Sequence, residues 1–412
     1  MSSRRLLQIN TVASGASTAT LMHIIDAEAR RRGYLTAIAY GRGALPEAAA
    51  EATQYYRIGS AATIALHVAA TRLADAHGLM SRHATRRLLA FIDSFDPDVV
   101  YLHNIHGYYL NYPILFEYLR RRGCKVVWHL HDCWPFTGHC AFYQAAGCNR
   151  CHTDECSRCG SRLSYPRSFF SRAPANYRRK KASFTGLPDI DIIAVSRYLA
   201  EEVRLSFLRG YRIHTVVNGV DTAVFAPPAT DGHRDRRCVL AGANVWPAEK
   251  GLLDLRALRR HLPEDYSIVV AGRMPRGFSL PEGISHTGII RDPDALARLY
   301  GRASVYVSLS RQEGFPLTTA EALACGTPVV AYDVCGVSAE TPSGVAAFVA
   351  PGDIAAVAKA IALYAEGDSR SEACRAAALT YFDSRRVARM CLDIVAGTTS
   401  SAPPPIFPYD MK

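Results

Sequence analysis

The sequence predicts an α/β protein of two domains, and three observations lead to this prediction. The chain has 412 residues, which is more than one hydrophobic core usually serves. Its composition, 49% hydrophobic and 21% charged, is that of an ordinary globular protein. Short apolar runs alternate with helix-forming segments in both halves, a pattern typical of parallel sheets covered by helices. We therefore expect two α/β domains of roughly equal size.

The first half shows this alternation from its start. A short apolar strand leads through a loop of small residues, which contains Gly15, to a helix and a second strand. A longer segment with several basic residues is then predicted to form one helix before the next strand. The expected strands are residues 6–10, 34–40 and 99–102, and the expected helices are residues 20–32 and 66–94.

Histidines follow two of the predicted strands of the first half. His103 and His106 come after residues 99–102, and His131 with Asp132 comes after a buried strand at residues 126–130. Ligands of open α/β sheets bind at the carboxyl ends of the strands, where a neutral imidazole can hold or relay a proton. Hydrogen-bonded core histidines, or an Asx turn beside a structural histidine, are the alternative interpretations. No third ligand for a metal pair of His103 and His106 is visible nearby.

Five cysteines lie within twenty residues, at positions 140, 148, 151, 156 and 159. The N-terminus lacks the apolar core of a signal peptide, and no apolar run approaches the ~18 residues of a membrane-spanning helix. We therefore expect a cytoplasmic protein with reduced thiols, in which such a cluster favours a metal site over disulfides. Free buried thiols, or two disulfides formed after exposure, are the alternatives.

The formal net charge of +11 favours an anionic partner. Nucleic acid, the anionic inner face of a membrane and phosphorylated substrates all satisfy this condition. The basic clusters lack the interleaved aromatic residues that stack on bases, which speaks against nucleic acid. We expect peripheral contact with an anionic membrane and no nucleic-acid partner.

The second half contains two carboxylates near the end of one predicted strand. Residues 303–309 form the strand, the following loop contains Glu313, and Glu321 lies on a helix that ends before a Gly-Thr-Pro sequence. The helix is expected to be capped by Thr318 or Thr319. Its amino end could bind a phosphate while the carboxylates accept hydrogen bonds from sugar hydroxyls.

The order Glu313-x7-Glu321, followed by Ala-Leu-Ala-Cys-Gly-Thr-Pro-Val-Val, resembles the donor-site signature of retaining glycosyltransferases that use nucleotide sugars. These enzymes have the GT-B fold, in which two Rossmann-like domains face a central cleft. The sequence from His103 to Asn111 resembles a segment of family-4-like enzymes of colanic acid and capsule biosynthesis. We therefore expect a GT-B fold with a small Cys-rich insert in the first domain.

The resemblance implies roles for individual residues. Catalytic roles fall to His131, Asp132 and Glu313, and the acceptor side includes His103 and His106. The donor-binding residues would be Gly15, Lys250, Arg273, Glu313, Gly314, Phe315 and Glu321. Glu313 is expected at the sugar hydroxyls, Glu321 at the ribose and Lys250 at the diphosphate.

The sequence departs from the family pattern in two places. The arginine expected after the first strand of the second domain is replaced by Ala243 or Asn244, so Arg273 is the expected substitute. Cys335 stands where the resemblance leads us to expect a glycine, which affects the approach of phosphate there.

The resemblance also selects four of the clustered cysteines. An insert with four recurring cysteines follows the His-Asp-x-Trp sequence in these enzymes, and they align with Cys140, Cys148, Cys156 and Cys159. We expect these four to hold a structural Zn²⁺, with Cys151 as a substitute ligand. Four thiolates leave no open coordination position, so no catalytic metal is expected.

The predicted activity is sugar transfer from a nucleotide diphosphate sugar to an acceptor hydroxyl, with retention, in cell-surface polysaccharide biosynthesis. The acceptor would be a glycan or a lipid-linked sugar. The alternatives are a nucleotide-sugar epimerase or a phosphorylase of the same fold, and a basic zinc-containing nucleic-acid-binding protein. The expected domains are residues 1–228, with the Cys-rich insert at about 133–160, and residues 229–390, followed by a tail at residues 391–412.

Overall fold

A computed structural model describes residues 3–46, 51–228, 234–365 and 370–398. It divides the chain into two compact units. Each unit is built on one parallel sheet, which confirms the predicted pair of α/β domains. No helix in these ranges is both long enough and apolar enough to cross a lipid bilayer.

The first unit has a seven-stranded sheet in the order β3-β2-β1-β4-β5-β6-β7. Its strands are β1 (Arg5–Val12), β2 (Leu35–Arg42), β3 (Thr53–Arg57), β4 (Val99–Leu102), β5 (Lys125–Leu130), β6 (Ile190–Ala194) and β7 (Arg212–Thr215). Its helices are α1 (Ser17–Arg31), α2 (Ala61–Ala74), α3 (Arg82–Phe95), α4 (Tyr112–Arg122), α5 (Arg150–Thr153), α6 (Ala173–Phe184) and α7 (Arg197–Leu205). The central strands β4, β5 and β6 are apolar along most of their length because helices cover both faces of a parallel sheet.

The second unit has a six-stranded sheet in the order β10-β9-β8-β11-β12-β13. Its strands are β8 (Asp235–Val245), β9 (Ser267–Arg273), β10 (Ile284–Gly288), β11 (Ala303–Ser308), β12 (Val329–Tyr332) and β13 (Ala346–Val349). The helices of this half are α8 (Leu252–Arg259), α9 (Pro293–Arg302), α10 (Leu317–Ala324), α11 (Ile354–Ala365), α12 (Arg370–Ala377) and α13 (Ser384–Ala396).

The chain passes between the units at Val216 and Val217, earlier than the boundary expected near residue 228. The reason is packing, because Val220 is buried in the core of the second unit and Phe225 packs against it.

The chain returns to the first unit from Ala388 onward, within α13. Lys125 Nζ of β5 donates a hydrogen bond to the carbonyl oxygen of Ile394 at 2.7 Å. Residues 391–396, expected in a tail, are therefore the last turns of a packed helix, and residues 399–412 lie outside the described ranges.

The single helix expected over residues 66–94 is wrong, because the structure has two helices there. Asp75 is the C-cap of α2 and Ser81 is the N-cap of α3, and both residues have left-handed backbone conformations, with φ of 49° and 57°. A left-handed residue ends the run of helical hydrogen bonds. Asp75 is buried, and it accepts hydrogen bonds from the backbone N–H of Arg172 at 2.8 Å and from His139 Nδ1 at 2.6 Å.

The expected threonine cap of α10 is also wrong. Pro316 occupies the N-cap position, and no side chain caps the helix there. The helix ends at Ala324, and Gly326 follows with φ of 76°. The end of the helix therefore follows the sequence signal, while its start is set one residue earlier by Pro316.

We predict that Asp75→Ala lowers the free energy of unfolding by about 2–4 kcal/mol, because it leaves the buried His139 Nδ1 and the backbone N–H of Arg172 without their acceptor. Urea unfolding at neutral pH measures this change. Glu117→Ala removes only surface ion pairs and should change stability by less than about 0.5 kcal/mol. Equal effects of the two substitutions would contradict the role given to Asp75.

Candidate functional site

Each sheet has one position where the strand order reverses. In the first unit β1 and β4 are neighbours, and in the second unit β8 and β11 are neighbours. The connections after these two strands leave in opposite directions, so a crevice forms at their carboxyl ends. The residues predicted for the site follow several of these strands.

An ion pair links the loops after β8 and β11. Lys250 Nζ lies 2.5 Å from Glu313 Oε1, and the lysine side chain is about one third exposed, at 34%. Gly251 follows with φ of 77°, and a Cβ there would lie 2.2 Å from the carbonyl oxygen of Leu309. Only glycine permits this approach, so Gly251 holds the Lys250 turn against the end of β11.

Glu321 lies close to the same place, on α10. Its Oε2 accepts a hydrogen bond from the hydroxyl of Tyr300 at 2.8 Å. Burial raises the pKa of Glu321 to about 7, although the bond from Tyr300 acts in the opposite direction. Burial also raises the pKa of Tyr306, and the charges of Glu321 and Glu313 add to this effect. Both predicted carboxylates are therefore close enough to Tyr306 to affect its pKa.

The other predicted donor residues differ in their surroundings. Arg273 ends β9 with an exposed side chain, and its carbonyl oxygen accepts from the backbone N–H of Trp246 at 3.2 Å. Phe315, which follows the half-buried Gly314, lies with its ring centroid 5.8 Å from that of Phe382. Phe315 thus anchors the Glu313 loop to the core, whereas Arg273 is accessible to a ligand.

Cys335 adopts a backbone conformation that favours glycine. Its φ is 54°, and Gly336 after it has φ of 65°. A non-glycine residue in this region carries a strain of roughly 1–2 kcal/mol. The backbone therefore has the conformation of a glycine pair although one glycine is replaced.

In the first unit Asp132 belongs to a hydrogen-bonded network. His106 Nε2 donates to Asp132 Oδ2 at 2.9 Å, and His106 Nδ1 accepts from the hydroxyl of Tyr165 at 2.9 Å. Asp132 Oδ1 also accepts from the backbone N–H of Trp134, as in an Asx turn. Burial alone would raise the pKa of Asp132, but His106 and the backbone N–H of Trp134 hold it below its usual value. Asp132 thus orients His106.

His131 lies in a stack of three imidazoles with His103 and His129. The ring centroids are 4.7–6.0 Å apart, and the planes are within 20–24° of parallel. One ring nitrogen of each lies within 4.8 Å of the others, and buried Nδ1 of His103 and Nε2 of His129 and His131 have no hydrogen-bond partner. The three imidazoles are therefore close enough to one another to be candidate ligands of one metal ion.

Burial keeps the stacked imidazoles neutral. It lowers the pKa of His131 to about 4 and those of His103 and His129 well below their usual value. His129 was not among the predicted site residues. Its position two residues before His131 in a strand, and hence on the same face, was the signal in the sequence.

Gly15 lies in the loop between β1 and α1 with φ of 75°, and a Cβ there would meet open space. The backbone conformation, rather than crowding, favours glycine at this position. The loop borders the same crevice as the residues that follow β4.

The cysteines of the insert are free thiols, with Cys140 and Cys156 buried and Cys148 and Cys159 half-buried. Burial raises the pKa of Cys140, and the charges of Cys159 and Cys156 add to this effect, which indicates that these thiols are near neighbours. Within the described ranges no three cysteine sulfurs come within 4.8 Å of one another. The donor chemistry suits Zn²⁺, and the zinc site stays a prediction.

Two family models match the chain, one on each unit. Residues 20–224 match Glycosyltransferase Family 4, and residues 235–366 match Glycosyl transferases group 1. The chain belongs to the glycosyltransferases. The predicted enzyme class is therefore confirmed, and each of the two units contains residues that match a glycosyltransferase model.

Curated relatives are similar in sequence to parts of this glycosyltransferase. The putative colanic acid biosynthesis glycosyl transferase WcaC of Escherichia coli K12 is 25% identical over 247 residues, 57% of this chain and 60% of the relative. The lipopolysaccharide core biosynthesis mannosyltransferase LpcC of Rhizobium leguminosarum bv. viciae is 33% identical over 180 residues, 37% of this chain and 49% of the relative. The matched part is thus about half to three fifths of each relative's length.

Solved structures match the chain over nearly its whole length. Sucrose-phosphate synthase from Thermosynechococcus elongatus superposes with a TM-score of 0.70 at 16% identity, covering 96% of this chain and 98% of that chain. HepE of Anabaena in complex with UDP-glucose superposes with a TM-score of 0.63 at 14% identity, covering 95% and 99%. These likenesses confirm the predicted GT-B fold.

We predict that Glu321 makes stability depend on pH. Its folded pKa of about 7 lies above the usual 4.5, so the folded state keeps a proton that the unfolded state loses between these values. The wild type should therefore lose stability relative to Glu321→Gln as pH rises from 4.5 to 7, by at most about 1.4 kcal/mol per unit. Glutamine retains an acceptor for Tyr300. Urea unfolding at several pH values checks this, and parallel curves for the two proteins would refute it.

We predict that the purified protein contains about one equivalent of zinc, held by the four cysteines of the insert. Elemental analysis of freshly purified protein measures the content. Cys156→Ser should lower it, whereas Cys124→Ser, outside the insert, should leave it unchanged. A substoichiometric amount in the wild type would count against the site.

Proposed function

We propose that this glycosyltransferase moves a sugar from a nucleotide diphosphate sugar to an acceptor hydroxyl, with retention, in the biosynthesis of a cell-surface polysaccharide. The product would be an exopolysaccharide, a capsule or an O-antigen. The Lys250–Glu313 pair at the β8–β11 crevice carries the proposal. The UDP-glucose complex of HepE and the names of WcaC and LpcC support the donor class and the product class.

The ion pair suits a diphosphate leaving group. Negative charge builds on the β-phosphate as the sugar leaves, and a fixed cation lowers the energy of that state. Lys250 would turn from Glu313 to the diphosphate, with Arg273 and the amino end of α10 adding positive potential. Glu313 would then be free to accept hydrogen bonds from the donor sugar. No divalent cation is required for this neutralisation.

Glu321 would position the ribose. The bond from Tyr300 fixes one of its oxygens, and the other can accept from a ribose hydroxyl. Because its pKa is about 7, hydroxyl donors at that oxygen would favour the ionised form near neutral pH. Ribose binding would therefore be coupled to release of a proton.

The first unit would supply the acceptor side. His131 is neutral near neutral pH and has a ring nitrogen without a partner, which suits hydrogen bonding to a reacting hydroxyl. Asp132 and His106 hold each other in one orientation, and His103 keeps its place through a hydrogen bond of 3.0 Å to Gln8.

The acceptor would be a glycan or a lipid-linked sugar at the cytoplasmic face of the cell membrane. The net charge of +11 supports peripheral contact with anionic lipids. A membrane-bound acceptor would then be concentrated near the enzyme.

We predict that one class among UDP-, GDP- and ADP-sugars raises the melting temperature of the protein and that Glu321→Ala abolishes this shift. Glu282→Ala, which removes an exposed carboxylate of the same unit, should retain it. Lys250→Ala should lower kcat/KM for transfer about 10²–10³-fold, the typical cost of losing one charge-stabilising donor.

Product analysis by NMR tests the proposed retention. If a sugar nucleotide still raises the melting temperature of Glu321→Ala as it does that of the wild type, Glu321 does not bind the ribose. Sugar release without an acceptor would indicate an epimerase, and dependence on phosphate would indicate a phosphorylase. Steep salt-dependent binding to oligonucleotides with indifference to every sugar nucleotide would indicate a nucleic-acid-binding protein.

A further inference from the structure

Helix α2 is apolar on a face that is open to solvent. Leu66 and Leu73 are 66% and 63% exposed, and Ala62, Ala65 and Ala69 on the same face are also exposed. The only charged residue in its 14 positions is Arg72, which is half-buried. A surface helix normally turns polar residues to water, and a helix that is apolar all round is normally buried. This face therefore lacks the chemistry of a water-exposed helix.

A second segment extends the same surface. Leu163, Phe169 and Phe170 are 59%, 54% and 64% exposed. The backbone N–H of Phe169 donates to the carbonyl oxygen of Arg72 at 2.8 Å, so these phenylalanines lie beside the last turn of α2. We call the exposed face of α2 together with residues 163–170 the apolar surface. Contiguous apolar patches of this kind mark interaction sites.

Positive charge surrounds the apolar surface. Residues 156–188 contain no aspartate or glutamate and eight lysines and arginines, of which Lys180 is buried and Arg162, Arg167 and Arg172 are exposed. The only acid in residues 58–92 is Asp75, which is buried. The nearby sequence thus presents cations and no exposed carboxylate.

We propose that the apolar surface docks on an anionic lipid bilayer, with its leucines and phenylalanines at the boundary between headgroups and acyl chains. Interfacial helices combine an apolar face with lysine and arginine at the headgroups. A second copy of the chain would bring two cationic rims together, which opposes self-association. Nucleic acid would leave Leu66 and Leu73 without a role, because bases stack on aromatic side chains.

The apolar surface adjoins the acceptor side of the first unit. Tyr165, in residues 163–170, is partly exposed, and its hydroxyl bonds to His106 Nδ1 at 2.9 Å. A bilayer on this surface would bring the headgroup of a lipid-linked acceptor toward the residues that follow β4 and β5. The inference deepens the proposed function and rests on it for the nature of the acceptor.

Co-sedimentation of the full chain with vesicles tests the surface. The wild type should bind vesicles of phosphatidylcholine mixed with phosphatidylglycerol more tightly than phosphatidylcholine alone. Leu66→Glu/Leu73→Glu should weaken the binding at least about tenfold, since two buried leucines are lost and two anions are added. Phe169→Ser/Phe170→Ser should weaken it without adding charge.

A matched control carries the same two added charges elsewhere. Leu205 and Leu363 are 62% and 61% exposed, and Leu205→Glu/Leu363→Glu should bind vesicles as the wild type does. Circular dichroism and thermal unfolding check that all variants fold. Equal binding of both glutamate pairs would overturn the proposal, and so would a wild-type dimer that Leu66→Glu/Leu73→Glu dissociates without any vesicle binding.

The vesicles contain neither donor nor acceptor, so this result is independent of sugar transfer. Loss of vesicle binding in the surface variants together with an unchanged sugar-nucleotide shift in Glu321→Ala would leave the membrane surface standing and reject the ribose role. Unchanged vesicle binding in the surface variants, together with loss of the sugar-nucleotide effect in Glu321→Ala, would reject the membrane surface and leave the ribose role standing.

Discussion

The ion pair between Lys250 and Glu313 is the interaction on which the proposed donor site depends. Two loops from neighbouring strands must hold opposite charges within contact distance at a partly exposed place, where an isolated pair contributes little to stability. The backbone supplies the constraint instead. Gly251 packs against the end of β11, and the N–H of Arg311 donates to the carbonyl oxygen of Glu249 at 2.8 Å. Backbone contacts, rather than the ion pair, therefore hold these two loops together.

The first unit differs in that it buries polar and ionisable groups close to the carboxyl ends of its strands. Lys180 lies 3.6 Å from the centre of the Trp134 ring and donates to the carbonyl oxygens of Trp134 and Thr137, which fixes the chain after Asp132. Burial lowers the pKa of this lysine to about 7. A buried polar network destabilises the fold unless each group has a hydrogen-bond partner, and a fully paired network fixes the geometry of its members. The unpaired nitrogens of the histidine stack are among the buried polar atoms of the described residues that lack a hydrogen-bond partner.

Much of the fold and part of the site follow from local patterns. Alternation of apolar runs and helices predicts both sheets, whereas Glu313 and Glu321 were predicted from the resemblance of their sequence to a donor-site signature. The break at Asp75 could not be predicted, because its conformation is fixed by Arg172 and His139, distant in the sequence. The surroundings of His129 depend on strand register. The exposure of α2 could not be predicted either, because an apolar segment has the composition of a buried helix whether or not another element covers it.

The two units divide the chemistry between them. The second unit has the charged groups, a lysine paired with a carboxylate and a second carboxylate with a pKa near neutrality. The first unit has neutral imidazoles, because burial suppresses their charged forms. Charge neutralisation at a leaving diphosphate needs the first kind of group, and hydrogen bonding to an uncharged hydroxyl needs the second. An imidazolium has no free lone pair to accept a hydrogen bond, so the role proposed for His131 requires its low pKa. The proposed transfer therefore depends on burial in one unit and on exchangeable ion pairing in the other.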